Sequence, residues 1–223
     1  MRPNPFYESN PAFRRLYIFG AGGSGKEIAW LAKQSWGNEV EIVFVVDEPR
    51  YLKNTSNGMP VSLLADILPQ DDTRFVVALG NPEQRRRLVS EFIARGHRPA
   101  TLVHPRAEIS GSVAVGDGTV ICAKSVITCD VSIGAHVQIN VACTVSHDTI
   151  IGDYATLSPG VHVPGHVRIG EGVFVGANAC FVNGATDRPL IVGDKSTIAA
   201  GACVTHDVGA GALMAGVPAI RKR

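Results

Sequence analysis

The sequence predicts two kinds of structure in one chain: a small parallel α/β layer, then a solenoid of stacked six-residue units. Three observations carry that expectation. Residues up to about 100 alternate short apolar runs with helical patterns, and a glycine-rich turn follows the first run. Beyond about residue 107 the helical signal stops and aliphatic residues recur every six positions. The composition agrees, with 24 glycines in 223 residues, 6% aromatic and only 18% charged side chains. A hydrophobic content of 45% excludes a disordered chain. So much glycine argues against a helical bundle, because glycine is unfavourable inside helices and serves mainly at turns.

Lysine and arginine total 21 against 20 aspartates and glutamates, for a net charge of +1. That balance gives no footprint for nucleic acid or an anionic membrane surface. No window approaches the roughly 18 consecutive apolar residues of a membrane-spanning helix. The opening MRPNPFYESNPAFRR is polar and lacks a signal-peptide pattern. The five cysteines (Cys122, Cys129, Cys143, Cys180, Cys203) are odd in number and form no CxxC pair. They read as small hydrophobes in a reducing compartment, so a cytoplasmic location is expected.

Residues 1–14 read as an N-terminal extension, 15–103 as the α/β domain and 104–223 as the solenoid. In the α/β part, Leu16–Phe19 is a buried-strand run, followed by Gly20-Ala21-Gly22-Gly23-Ser24-Gly25 and a helical pattern through Trp30, Leu31 and Ala32. A second run, Ile42–Val46, ends at Asp47, and a third, Phe75–Leu79, ends at Gly80. Glu83 to Arg95 then reads as an amphipathic helix with Leu88, Phe92 and Ile93 facing inward.

In the solenoid, aliphatic residues stand at Ile109, Val115, Ile121 and every sixth position through Val175, with Phe181 in phase. Val192, Ile198 and Val204 resume the period after a gap of eleven, a slip of five residues. A six-residue unit is too short to fold alone and must stack on its neighbours. Three units make a triangular coil of 18 residues, so residues 18 apart stack at about the 4.8 Å strand spacing. This motif resembles the hexapeptide-repeat, left-handed parallel β-helix of acyltransferases.

A short glycine-loop domain ahead of such a helix resembles the bacterial sugar acetyltransferases of the NeuD/PglD type. The resemblance rests on IFGAGGSGKEI, VALGNPEQRRRL, VSHDTIIGDYATLSPG and AGVPAIRKR, and spans Arg15 to Arg223. It implies acetyl transfer from acetyl-CoA to a nucleotide-linked amino sugar, by a homotrimer whose acetyl-CoA lies in the groove between neighbouring β-helices. A sialic acid O-acetyltransferase of the same family and a non-catalytic nucleotide-sugar-binding protein are the alternatives.

By motif match the family's catalytic pair falls on His147 and Asp148. His147 lies two positions after Val145, where the repeat sends a side chain outward or to a corner. Acylation of an amine needs a base to take its proton, and an imidazole oriented by a carboxylate suits that role. One coil on, position 165 is glycine. It would let a thioester approach and leave an N–H for its oxygen, and the resemblance matches it to a glycine that contacts the acetyl carbonyl. Gly201 matches a second glycine of the acetyl-CoA groove, with a plain turn glycine as the alternative for both.

Taken alone, GxGxxG with Asp47 placed 22 residues after Gly25 would suggest NAD. The layer ends near residue 100 without the second half of a dinucleotide fold, so a mononucleotide fits better. Amides at the helix start would take a phosphate and Asp47 the ribose or base. On the resemblance, Gly20, Gly22, Ser24 and Gly25 join Asp47 in holding the activated sugar's nucleotide. The chain departs from its relatives at Ser24 and Thr156, where histidine is common. The slip at 183–190 predicts a loop that would cover the CoA groove with Arg188 on a phosphate, or a tolerated surface insertion. Cys129, one coil before His147, is the competitor for a covalent acyl-enzyme route. A zinc site from His147, His162 and His166 is not expected, since their spacing does not match metal-binding β-helices.

Overall fold

The computed structural model describes residues 11–222. The chain opens with β1 (Arg15–Phe19), α1 (Gly23–Trp36) and β2 (Glu41–Val46), then β3 (Thr55–Ser56), β4 (Met59–Leu63), β5 (Thr73–Val77) and α2 (Pro82–Ala94). These strands form one sheet in the order β3-β4-β2-β1-β5, parallel except for the short β3–β4 pair. Because strand side chains alternate, Leu16, Ile18, Ile42, Phe44 and Val46 share one core with α1. Tyr17, Phe19, Val43 and Val45 share the other with α2. Both faces of the sheet are therefore covered.

The inward face of α2 differs from the sequence expectation. Leu88 and Phe92 are buried, but Ile93 is 51% exposed, and Arg85 is buried in its stead. Residues 85, 88, 89 and 92 form the helical stripe toward the sheet, and Ile93 falls one step outside it.

From Leu102 onward the strands are two or three residues long, and from Val120 through Phe181 each pairs in parallel with the strand 18 residues before it. They line up on three faces of a β-helix. The first face carries the strands beginning at Leu102, Val120, Gln138, Thr156, Phe174, Thr197 and Leu213, closed by Ile220–Arg221. The second runs through Glu108, Val126, Thr144, His162, Cys180 and Cys203; the third through Ala114, Ser132, Ile150, Val167 and Leu190. The periodic aliphatics of all three faces meet in one core, from Ile121 and Ile127 through Val145 and Leu157 to Ile198 and Val204. The predicted slip is real. Val167 pairs with Leu190, Phe174 with Thr197 and Cys180 with Cys203, each 23 residues apart, so five extra residues leave the coil at one corner.

The α/β unit sits on the first face. Val120 and Leu102 belong to the core beneath α1. Gln138 Nε2 donates to the Val77 carbonyl at 2.9 Å and Thr156 Oγ1 to the Gly80 carbonyl at 2.7 Å. Arg85, 2% exposed, clamps the junction. Its guanidinium donates to the carbonyls of Leu79 and Gly80 in its own unit and of His136, Tyr154 and Ala155 in the β-helix. Burial draws its pKa down to about 9, which leaves it charged at neutral pH.

Candidate active site

Each coil turns through three corners, and the third corner residue often takes the left-handed conformation. Asp130, Asp148 and His166 do so at φ near +57° on the corner between the second and third faces. His147 and Asp148 therefore stand on a sharp exposed turn rather than in the core, with side chains 50% and 49% exposed. His147 Nδ1 lies 2.8 Å from Asp148 Oδ2. An ionised carboxylate only accepts, so Nδ1 carries the proton and Nε2 is the basic nitrogen.

Gly165 stacks directly above. A Cβ built there would lie 2.6 Å from His147 Cε1 and 2.7 Å from Nε2. Its backbone is not left-handed, so glycine is required here by the neighbouring ring and not by the turn. The Gly165 carbonyl accepts from Gly184, while its N–H has no hydrogen-bond partner among the described residues. A basic nitrogen and a free amide thus meet where no side chain intrudes.

The extruded residues 183–189 rise on the same corner. Ala185 and Arg188 close the loop through reciprocal backbone hydrogen bonds of 2.9 and 3.1 Å. Between the loop and the next coil lies a groove of about 640 Å³, lined by Asn183, Arg188, Thr205 and His206 among others. Its floor continues from Gly165 through the Gly184–Gly165 hydrogen bond.

The glycine loop is a separate locus. Gly20 has φ +103°, and a Cβ on Gly25 would fall 1.8 Å from the Gly20 carbonyl oxygen, so both glycines are demanded by the tight strand-to-helix turn. Gly22 is the N-cap of α1 with no side-chain cap, which leaves first-turn amides pointing outward beside Ser24. Asp47 lies just past β2 at the same end of the sheet, where Arg87 of α2 approaches it to 3.6 Å. Ser24, Glu27 and Ile28 border a cleft of about 280 Å³ whose far wall is Asn140, Thr156 and Ser158 on the first face.

Several expected partners are not neighbours within one chain. Gly201 lies on the corner between the first and second faces, at φ +67°, with its N–H spent on the Ala177 carbonyl at 2.8 Å. Thr156 ties the α2 entry loop to the β-helix. His162 is on the second face, bonded to Thr144 at 2.9 Å. The donor atoms of His147, Asp148 and His166 do lie within 4.8 Å of one another, a grouping that 18-residue stacking of position 148 on 166 makes visible in hindsight. Burial raises the Cys122 and Cys143 thiols to about 12 and 11, so neither is a thiolate at neutral pH. The Arg85 clamp had no sequence signal.

A β-helix of hexapeptide coils with a histidine–carboxylate pair on an open corner defines an acyltransferase of the hexapeptide-repeat class. The comparisons agree and narrow it. Residues 15–92 match the PglD N-terminal domain, 148–183 the bacterial transferase hexapeptide and 166–206 the hexapeptide repeat of succinyl-transferase. The chain is 34% identical over 208 residues to the GDP-perosamine N-acetyltransferase of Escherichia coli O157:H7, covering 91% of this chain and 93% of that protein. The acetyltransferase domain of PglB from Neisseria gonorrhoeae FA1090, solved with acetyl coenzyme A, superposes with a TM-score of 0.83 at 34% identity, over 94% of this chain and 99% of that one. PerB from Caulobacter crescentus, solved with CoA and GDP-perosamine, gives 0.82 at 27% identity, over 93% and 97%. The chain belongs to the NeuD/PglD-type sugar acetyltransferases, with an α/β domain followed by a left-handed β-helix and acetyl-CoA as acyl donor.

Proposed function

We propose that the protein transfers the acetyl group of acetyl-CoA to the amino group of a nucleotide-activated amino sugar, by direct transfer with His147 as general base. The observation that carries this reading is the Nδ1–Asp148 hydrogen bond, which leaves Nε2 unprotonated beside the free Gly165 amide. GDP-perosamine in the relatives supports an amino sugar as acceptor.

In a ternary complex the sugar amine attacks the thioester carbonyl and Nε2 takes the proton as the C–N bond forms. Asp148 orients the ring and balances the imidazolium. The Gly165 N–H stabilises the oxyanion. Collapse of the tetrahedral intermediate expels CoA thiolate, which takes up a proton, and gives the amide. The loop at 183–189 and Gly201 line the acetyl-CoA path, with Arg188 on a phosphate. Gly20, Gly22, Ser24, Gly25 and Asp47 hold the nucleotide.

The same reading calls for a homotrimer. In a triangular coil the corner that bears His147 is opposite the first face, on which the α/β unit sits. A chain therefore holds its nucleotide loop and its base on opposite sides, and a neighbouring copy brings one to the other. Domain limits of 15–103 and 104–223 and a cytoplasmic location fit this assignment.

The test is turnover of His147→Ala with acetyl-CoA and a panel of 4-amino nucleotide sugars beside sialic acids, with sedimentation to follow assembly. Loss of two or more orders of magnitude on the amines, with the trimer intact, is expected. Undiminished turnover, or activity on hydroxyl acceptors alone, would overturn the assignment.

A further inference from the structure

The corner that bears His147 has an inner side as well as an outer one. Asp148 is left-handed at φ +56°, and the chain then turns Thr149 into the interior, where it is fully buried. The places stacked on Thr149 are apolar. Val131 lies one coil below, Val167 one coil above and Leu190 above that, all buried. The coil with the base thus carries a hydroxyl where its neighbours carry a methyl. Burying a hydroxyl is unfavourable unless it is hydrogen-bonded, so packing alone would favour valine here. Thr149 Oγ1 donates across the interior to the Pro164 carbonyl at 3.1 Å, with a longer approach of 3.4 Å to the His147 carbonyl. The Pro164 carbonyl accepts from no other donor among the described residues.

That carbonyl and the Gly165 N–H belong to one peptide group, and it is trans. Its two polar ends therefore point in opposite directions. With the carbonyl held on the Thr149 hydroxyl inside the coil, the N–H is directed away from the core. We propose that Thr149 is a positioning residue of the active site, whose hydroxyl aims the Gly165 N–H from within the coil and strengthens it as a donor to the acetyl oxyanion. This rests on the reading of Gly165 as the oxyanion donor. A hydrogen bond accepted by a peptide carbonyl polarises the whole amide, so the N–H at its other end becomes a better donor. The approach to the His147 carbonyl adds a second constraint. Base and donor are referred to one buried anchor, which fixes their separation before substrate arrives.

An inner hydroxyl at another corner shows the purely structural version of this bond. Thr119, also fully buried, donates from Oγ1 to the Gly134 carbonyl at 2.8 Å. The N–H at the far end of that peptide group belongs to Ala135 and is spent on Asp153 Oδ1 at 2.8 Å. At the Pro164–Gly165 peptide the far N–H has no such partner among the described residues. The two threonines make the same kind of interior bond, and only one of them has a reactive group at the other end.

The experiment compares Thr149→Val, Thr149→Ser and Thr119→Val in the full-length protein, with acetyl-CoA and the 4-amino nucleotide sugar that the wild type turns over fastest. Thr149→Val should lower kcat by about 5- to 20-fold, a fraction of the loss on deleting an oxyanion donor, with both KM values within about twofold of wild type. Thr149→Ser should restore kcat to within about threefold of wild type. Thr119→Val should leave kcat unchanged although it loses a comparable interior bond. Thr149→Ala, with neither hydroxyl nor branched chain, is the second variant and should lose as much kcat as valine. In backbone NMR the Gly165 amide nitrogen should move upfield in Thr149→Val and return in Thr149→Ser. A kcat for Thr149→Val within about twofold of wild type, an equal fall in Thr119→Val, or an unmoved Gly165 resonance would overturn the proposal. Turnover by His147→Ala would instead defeat the assignment of the base, and the Gly165 resonance, which needs no turnover, would still report whether the hydroxyl acts on that amide.

Discussion

The imidazole of His147 rests against the backbone of Gly165 so closely that a Cβ on the glycine would stand 2.6 Å from Cε1. Real Cβ atoms do not tolerate that approach, and the glycine's own backbone is compatible with alanine. The penalty of Gly165→Ala must therefore fall on the orientation of the ring and on access to the amide. We expect kcat/KM to drop by about 100-fold, the scale of an ångström-sized misplacement, with little change in melting temperature. Steady-state kinetics beside thermal melting separates this from a loss of fold.

Asp148→Asn keeps the size of the side chain and removes its charge. An amide can present its NH2 to Nδ1, which would move the imidazole proton to Nε2, the nitrogen that must accept. Loss of about two to four orders of magnitude in kcat is expected, with the KM for acetyl-CoA near its original value. A kcat within a few-fold of wild type would show that the carboxylate does not set the tautomer.

Arg85→Met should uncouple the α/β unit from the β-helix. Five carbonyls lose this donor at once; those of Gly80 and Ala155 keep Thr156 Oγ1 and the Gln138 N–H, while those of Leu79, His136 and Tyr154 have no other among the described residues. Buried acceptors without partners cost about 3 kcal/mol or more in total, even after methionine fills the space. Urea unfolding should show a lower midpoint for Arg85→Met, and Arg85→Lys should recover only part of it because an ammonium cannot reach so many acceptors.

Acid stability should depend on His136. Its ring is buried, stacked between Phe75 and Tyr154, and desolvation with the nearby Arg85 charge lowers its pKa to about 4. The unfolded chain, with an ordinary histidine near 6.5, binds the proton first. The neutral ring therefore contributes full stability above about pH 6.5, and stability falls as pH drops from there toward 4. The loss at the acid end is on the order of 3 kcal/mol. The fall in melting temperature between pH 7 and pH 5 should be smaller in His136→Phe than in wild type. Equal slopes would show that this ring is not the acid-sensitive group.

Much of the fold is legible in the residues because each coil repeats one physical requirement. A two-residue strand directs one side chain inward, and Ile121, Ile139, Leu157 and Val175 report it every 18 positions. The corner place of His147 and the stacking of Gly165 follow from the same arithmetic. The period is identical on all three faces, however, so it is silent about which face the α/β unit covers; Gly201 stands 54 residues after His147, three coils on, and only the five-residue slip, counted through, moves it to a different corner. Arg85-Arg86-Arg87 reads as a solvated charge run, and only carbonyls distant in sequence select the first of the three for burial. Ile93 illustrates the complementary case, an apolar residue left exposed because it falls one step outside the buried stripe of α2.

The left-handed corner place that holds Asp148 is occupied elsewhere by Lys124, Ala142, Tyr154, Asn178 and Lys195, with no common chemistry among them. The scaffold tolerates almost any side chain there, since the core lies on the other side of the turn. In evolutionary terms the helix offers a row of interchangeable berths, and a reactive group can be gained, lost or moved one coil by point mutation without renegotiating the fold. Variation in substrate and rate among descendants of such a chain is expected to collect at corners, while the inward aliphatics drift only among themselves.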